Sequence, residues 1–459
     1  MLFRSPIEPA WMKLRGQLIH KEKKMTFPPF EMMVAANYSQ GNIWAGFRKN
    51  RGDWFPEDLW EKHGPDHKSK TVYFAGCTAS YVENDIAQAT VRLLDKTGLD
   101  FTFLGTKENC CATPLLVSGK WDAFTDTMVK NIRAVKEAGA DTVVTSCPAC
   151  HMMWNSVYGP WAKELGIDYG IETKHYSELV SEKIKSGEFT FPENGGQKET
   201  VTWHDSCHMG RVAGIYEPPR DMIKAIPNVD FVEMPFNRDK AHCCGSVLTL
   251  IKEPPVAAEI GKTRLEEAIE VGAEKVLALC PCCEVQLRIS AEKKEVPVEV
   301  VDLAAFTASK LGYEFDDPNP EVHRQWGVFD SMISLMTPEG FAELMGTMWP
   351  ELIDAMPYKM GPMMRVMGKV PGALTLMKPM FPILFPRLLP VMMPKVLPTM
   401  IQRIEERIEM PQNMIELMPS LMPEVMDNLM PHMIGDVVPL VTQPMIDYLH
   451  GKTPAQTGV

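Results

Sequence analysis

Ten of the eleven cysteines in this chain fall into two copies of one pattern: a single Cys, a Cys-Cys pair, and a CxxC. The first copy is Cys77, Cys110, Cys111, Cys147 and Cys150; the second is Cys207, Cys243, Cys244, Cys280 and Cys283. In both copies 35 residues separate the pair from the CxxC, and the first gaps are 32 and 35 residues. Each set offers more soft ligands than a tetrahedral metal uses, so the pattern points to a multi-iron sulfide cluster rather than a structural zinc. Cys282 is left over, as a spare ligand, a redox-active neighbour or a small buried residue. An odd count at ligand-like spacing argues against a secreted disulfide scaffold. The start MLFRSPIEPA shows neither a secretory nor a twin-arginine signal, so a reducing cytoplasm is expected.

The duplication extends beyond the cysteines. Residues 71–76 (TVYFAG) and 202–206 (TWHDS) read as short strands ending at Cys77 and Cys207. Residues 141–146 (DTVVTS) and 275–279 (KVLAL) read as strands running into CPAC and CPCC. An amphipathic helix precedes each, at 121–138 and 255–271, the second with Ala257, Ile260, Leu265, Ala268 and Ile269 on one face. Alternation of strand and helix predicts an α/β fold of two pseudo-symmetric, cysteine-rich parallel units, with the thiols at the carboxyl ends of the strands.

These motifs carry a resemblance to the CCG-domain family, the cysteine-rich subunits of heterodisulfide reductase and relatives such as the iron-sulfur subunits of glycolate and lactate oxidases. The runs WHDSCHMGRVAGIYEPPRDMIKAIP, NRDKAHCCGS and CPCCEVQLRIS look especially similar to the heterodisulfide reductase branch. The resemblance implies two noncubane [4Fe-4S] clusters, one on each five-cysteine set, at which a disulfide is cleaved. It departs at Ala112, where the family's glycine would follow the first cysteine pair; the second copy keeps Gly245. The resemblance covers about residues 70–315, and with the composition of the tail it divides the chain into an N-terminal connector (1–69), a first cysteine-rich domain (70–195), a second (196–316) and a C-terminal tail (331–459). Fused relatives carry a CxxCxxCxxxCP ferredoxin part before the repeats, whereas no cysteine precedes Cys77 here, although residues 37–54 resemble the connector that follows that part. A ferredoxin-type iron-sulfur subunit and a flavin-containing subunit are therefore the expected partners, unless the chain is a shortened form of a longer protein.

Four histidines lie close to the predicted ligands: His151, His204, His208 and His242. They are candidates for proton delivery or for hydrogen bonds to sulfur, or else they order local loops. Replacing His208 is expected to leave the iron in place. No Walker, dinucleotide-binding or HExxH motif is present. The net charge of -12 disfavours a general nucleic-acid partner.

The last 129 residues hold 22 of the 33 methionines and 18 of the 38 prolines. Prolines at 382, 386, 390, 394 and 398 predict a zigzag of single helical turns rather than one regular helix. Met414, Met418, Met422, Met426 and Met430 recur at the same interval. Between Ala355 and Arg403 stand seven basic residues (Lys359, Arg365, Lys369, Lys378, Arg387, Lys395, Arg403) and no acidic one, the pattern of an interfacial membrane segment. A methionine-rich surface packing on a partner subunit is the alternative. No stretch of 18 uncharged apolar residues exists to span a bilayer.

These features lead to a heterodisulfide reductase-like redox subunit of an anaerobic complex, at the cytoplasmic face of a membrane. A pure electron-transfer subunit between a flavin or ferredoxin partner and a quinone, and the iron-sulfur subunit of a 2-hydroxy-acid oxidase, are the alternatives.

Overall fold

The computed structural model describes residues 7–24, 27–192, 198–246 and 254–452. The expected boundary between residues 195 and 196 lies outside them. Among the described residues, eight strands form two four-stranded parallel sheets. The first orders as β2-β1-β3-β4, from β1 (Thr71–Phe74), β2 (Thr102–Phe103), β3 (Thr142–Thr145) and β4 (Glu172–His175). The second repeats that order as β6-β5-β7-β8, from β5 (Glu199–Trp203), β6 (Val229–Phe231), β7 (Lys275–Ala278) and β8 (Glu299–Asp302). The central pairs β1 with β3 and β5 with β7 are in register from Thr71 opposite Thr142 and from Val201 opposite Lys275.

The two sheets face each other through reciprocal helix contacts. The helix Asn84–Lys96, which follows β1, packs on Leu303–Ser309, which follows β8; Glu217–Ala225, after β5, packs on Tyr176–Lys185, after β4. Equivalent elements exchange places, as across a two-fold interface. Their apolar faces merge into one core, in which Tyr73, Val144 and Tyr176 from one half meet Trp203, Leu277 and Leu303 from the other.

Three expectations are corrected. β5 ends at Trp203, three residues earlier than the TWHDS reading, because the side chains beyond it leave the sheet for polar partners: His204 for Arg264 and Asp205 for Arg220. Ile269 is exposed on the helix Pro254–Glu270, whose buried face runs instead through Ala257, Gly261, Leu265 and Ala268. The proline segment is helical over Phe381–Glu405, and a bend of 78° separates Ala373–Leu389 from Val391–Glu405. Prolines spaced by four lie in one row of the helical hydrogen-bond ladder, so the lost donors are concentrated along one line while the other rows stay intact. Pro382, Pro394 and Pro398 put that line toward solvent, where carbonyls can bind water.

The C-terminal region is a helical bundle centred on Gln412–Leu449, a 38-residue helix with five internal prolines. It packs on Phe381–Glu405, on Pro338–Gly346 and on the N-terminal helix Pro28–Gln40. Met414, Met418, Met422, Met426 and Met430 are buried in this core, against Val425, Leu429 and Val441. These methionines serve the chain's own interior, where unbranched side chains fill the gaps left by proline-distorted turns.

Candidate functional site

All eleven cysteines line one cavity of about 680 Å³. Its construction follows from the parallel sheets. Cys147 and Cys280 are the N-cap residues of helices that leave β3 and β7, and Cys77 opens the helix that follows β1. Strand ends therefore deliver thiols to helix N-termini, where the backbone dipole favours the thiolate. Gly76 adopts φ +81°, and a Cβ there would lie 3.0 Å from Cys150 Sγ, so only glycine lets the chain pass this sulfur.

The two halves meet at sulfur. Cys147 and Cys280 hydrogen-bond to each other, and within the second set Cys244 Sγ and Cys283 Sγ are 3.2 Å apart. Hydrogen bonds among the thiols divide them into donors and acceptors. Cys111, Cys147 and Cys244 are held well below the ordinary thiol value, chiefly by hydrogen bonds with Cys110, Cys150 and Cys243 respectively. Burial pushes Cys207 up to about 11. The cysteine-pair turn is the same in both halves: the Ala112 amide donates to Cys110 Sγ (3.3 Å) and the Gly245 amide to Cys243 Sγ (3.4 Å). Both turns need a left-handed residue, at φ +63° for Ala112 and +91° for Gly245.

The sets differ in exposure. All five thiols of the first are buried, whereas Cys207 is half-buried and Cys243 exposed. Cys282, the leftover thiol, is half-buried and lines the same cavity. Of the four histidines, His208 lines the cavity and the other three do not. His204 lies against Cys244 and Cys283. Its Nδ1 accepts from Arg264 Nε at 3.1 Å, which fixes the proton on Nε2 and aims a donor at Cys244 sulfur. His242 is exposed, stacks on Phe236 at 4.4 Å and bonds Glu267, which also pairs with Arg264. His151 is buried beside His175, and burial lowers it to about 4, which leaves it neutral at physiological pH.

Several supporting groups had no signal in the motifs. Arg51, from the connector, is fully buried and bonds Glu108 at 2.6 Å; Glu108 accepts from the Ala75 and Gly76 amides and so shapes the turn before Cys77. In the second half Asp205, two residues before Cys207, is paired with buried Arg220 at 2.7 Å and accepts from the Arg238 amide. Between the halves, Glu83, Asp85, Glu284 and Asp302 are buried around Arg288. Burial raises all four carboxyls, Asp85 to about 6 and Asp302 to about 7. Such clusters assemble from distant segments, so only the residue types, not their meeting, were visible in sequence.

Thiols converging in one cavity, with no carboxylate among its lining residues, suit a sulfur-ligated iron cluster. The molecule is thus a duplicated α/β protein whose cysteine-rich halves share one thiol-lined chamber. The CCG cysteine-rich domain matches it twice, over residues 71–155 and 201–288. The D polypeptide of the dihydromethanophenazine:CoB–CoM heterodisulfide reductase of Methanosarcina mazei is 32% identical over 315 residues, 66% of this chain and 73% of that protein. Its counterpart in Methanosarcina acetivorans is 32% identical over 58% of this chain and 64% of its own length. An EtfAB:quinone oxidoreductase of Syntrophomonas wolfei is 25% identical over 62% of this chain and 40% of that protein. The chain belongs to the CCG cysteine-rich family, alongside these heterodisulfide reductase polypeptides, and its matched part spans about two thirds of their length. Among solved structures, an aspartate racemase homologue from Pyrococcus horikoshii aligns at 15% identity with a TM-score of 0.24, covering 53% of this chain and 97% of that one.

Proposed function

We propose that this protein is a heterodisulfide reductase-like iron-sulfur redox subunit that couples electron transfer to disulfide and thiol chemistry. Cys77, Cys110, Cys111, Cys147 and Cys150 would hold one four-iron cluster, and Cys207, Cys243, Cys244, Cys280 and Cys283 a second, both of the noncubane type associated with the five-cysteine motif. When bound, the clusters supply single electrons in sequence to a disulfide that needs two. The observation that carries this reading is the shared chamber, closed around the first set and open to solvent at Cys243. The chain's residues then have separable tasks. Arg264 orients His204 toward Cys244, and Glu108 and Asp205 fix the turns before Cys77 and Cys207. His208, at the chamber wall, would give a proton to a departing thiolate through an imidazole nitrogen. A ferredoxin-type iron-sulfur subunit and a flavin-containing subunit in the cytoplasm would supply the electrons.

A pure relay is the second reading, and the contact between Cys147 and Cys280 favours it, since it links the two sets directly. Anaerobic assay of disulfide reduction by the reduced holoprotein separates the two. Turnover that is lost in His208→Ala with iron content unchanged supports substrate chemistry; iron-replete protein inert toward a panel of disulfides supports the relay.

A further inference from the structure

We propose that the segment from Tyr358 to Lys395 is a lipid-facing surface that holds the protein flat on an anionic bilayer. The inference does not rest on the redox reading, since none of its residues touches the cysteine chamber. Its first support is what the fold leaves uncovered. Tyr358, Val366, Val370, Leu376, Ile383 and Val391 are all more than half exposed, with Tyr358 at 92% and Leu376 at 83%. Elsewhere among the described residues only Trp11 is a large apolar side chain exposed to that degree. Isolated exposed apolar residues are ordinary, but a concentration of them in one segment marks an interaction site.

The segment is nonetheless ordered on the bundle. Met364, Leu374, Phe381, Phe385, Leu389 and Met392 turn inward to the same core that buries the methionines of Gln412–Leu449. The outward residues are therefore the second face of packed helices.

Charge identifies the occupant. No carboxylate occurs between Ala355 and Arg403, and the cations there are interleaved with the exposed aliphatic residues. Arg365 is paired with Asp354, but Lys359, Lys369, Arg387 and Lys395 are exposed and pair with no carboxylate among the described residues. Protein interfaces are depleted of lysine at their centres, whereas lysine or arginine beside exposed aliphatic groups is what an anionic headgroup layer binds. Among the described residues no single helix is long and apolar enough to cross a membrane, and a 78° bend divides the apolar pair Ala373–Leu389 and Val391–Glu405, so the surface lies on the bilayer rather than through it.

The test is flotation of the full chain, purified anaerobically, with phosphatidylcholine vesicles and with vesicles that also contain phosphatidylglycerol. One variant replaces Lys359, Lys369, Arg387 and Lys395 by Gln; a second carries Val366→Ser, Leu376→Ser and Ile383→Ser. All these positions are exposed, and retained iron content together with an unchanged circular dichroism spectrum establishes that the fold survives. The full chain is expected to float with anionic vesicles only, the first variant to partition roughly tenfold or more weakly, and the second to fail at every salt concentration. A full chain that stays unfloated, or variants that float as the parent does, overturns the proposal. Loss of a vesicle-free protein complex in the same variants, with no lipid binding by the parent, would assign the surface to a protein partner instead.

Discussion

The two cysteine sets share one backbone plan and differ in what surrounds the sulfur. In the first, every thiol is buried, apolar Phe74 stands three residues before the lone cysteine, and Arg51 from the connector approaches Cys77 at 3.9 Å. In the second, His204 takes the place of Phe74, three residues before Cys207, and sets a donor against Cys244, while Cys243 opens to solvent. Duplication supplied two equivalent cysteine frames; the divergence lies in access and in polarity. A buried, cation-flanked set suits storage and passage of an electron, and a set with one exposed thiol and a nearby imidazole suits contact with a substrate.

The largest expected effects follow from removing ligands. Cys244→Ser should lose about half of the iron and all disulfide turnover, while Cys111→Ser should lose the other half and leave a second-set signal that still responds to thiol. Iron analysis and electron paramagnetic resonance of the two variants check this, and loss of the same signal in both would erase the distinction. Next is the connector: Arg51→Ala leaves Glu108 buried without its partner, which should cost about 3–5 kcal/mol. Anaerobic denaturant unfolding measures it, and a change below about 1 kcal/mol, the worth of an exposed pair, would remove Arg51 from the support of the first set.

Smaller effects sharpen the comparison at the cysteine-pair turn. A Cβ on Gly245 would sit 2.7 Å from the Ala257 carbonyl at φ +91°, whereas Ala112 already tolerates φ +63°. Gly245→Ala should destabilise by about 2 kcal/mol and Ala112→Gly should stabilise by about 1 kcal/mol, since the left-handed conformation costs roughly 1–2 kcal/mol for a residue with a Cβ. Thermal unfolding of both holoproteins would show opposite shifts; equal shifts would mean the turns are not equivalent. A further effect concerns pH. Asp302 titrates at about 7 in the folded chain, above its unfolded value, so folding favours its protonated form. That contribution is fully present below about pH 4 and is lost as pH rises through 7. Asp302→Asn keeps the cap on the Ala305 amide and should flatten the decline in stability over that window. An unchanged slope would show that another group carries it.

The parts legible in the sequence are those that local pattern encodes. Residues 141–146 carry a β-branched run and 275–279 an apolar one, stopping at CPAC and CPCC, and β3 and β7 form there. Trp121–Glu137 follows its apolar period to within a residue. The end of β5 is not legible, because TWHDS has a strand's alternation while His204 and Asp205 are bound to arginines far along the chain. The same reason hides Arg51, Arg264 and the carboxyls around Arg288: each partner lies on a different element, so no spacing announces the pair. In the tail, proline alone predicts single-turn breaks, but the buried methionines and leucines favour longer helices over what each proline takes from the ladder.

Whether two equivalent cysteine frames carry clusters of which only the solvent-facing one meets substrate is tested most directly by anaerobic iron and sulfide analysis, followed by electron paramagnetic resonance before and after addition of a thiol. About eight irons per chain, with one signal altered by thiol and lost in Cys244→Ser but kept in Cys111→Ser, is the expected result. Zinc in place of iron, or a thiol response that follows Cys111 instead of Cys244, would contradict it.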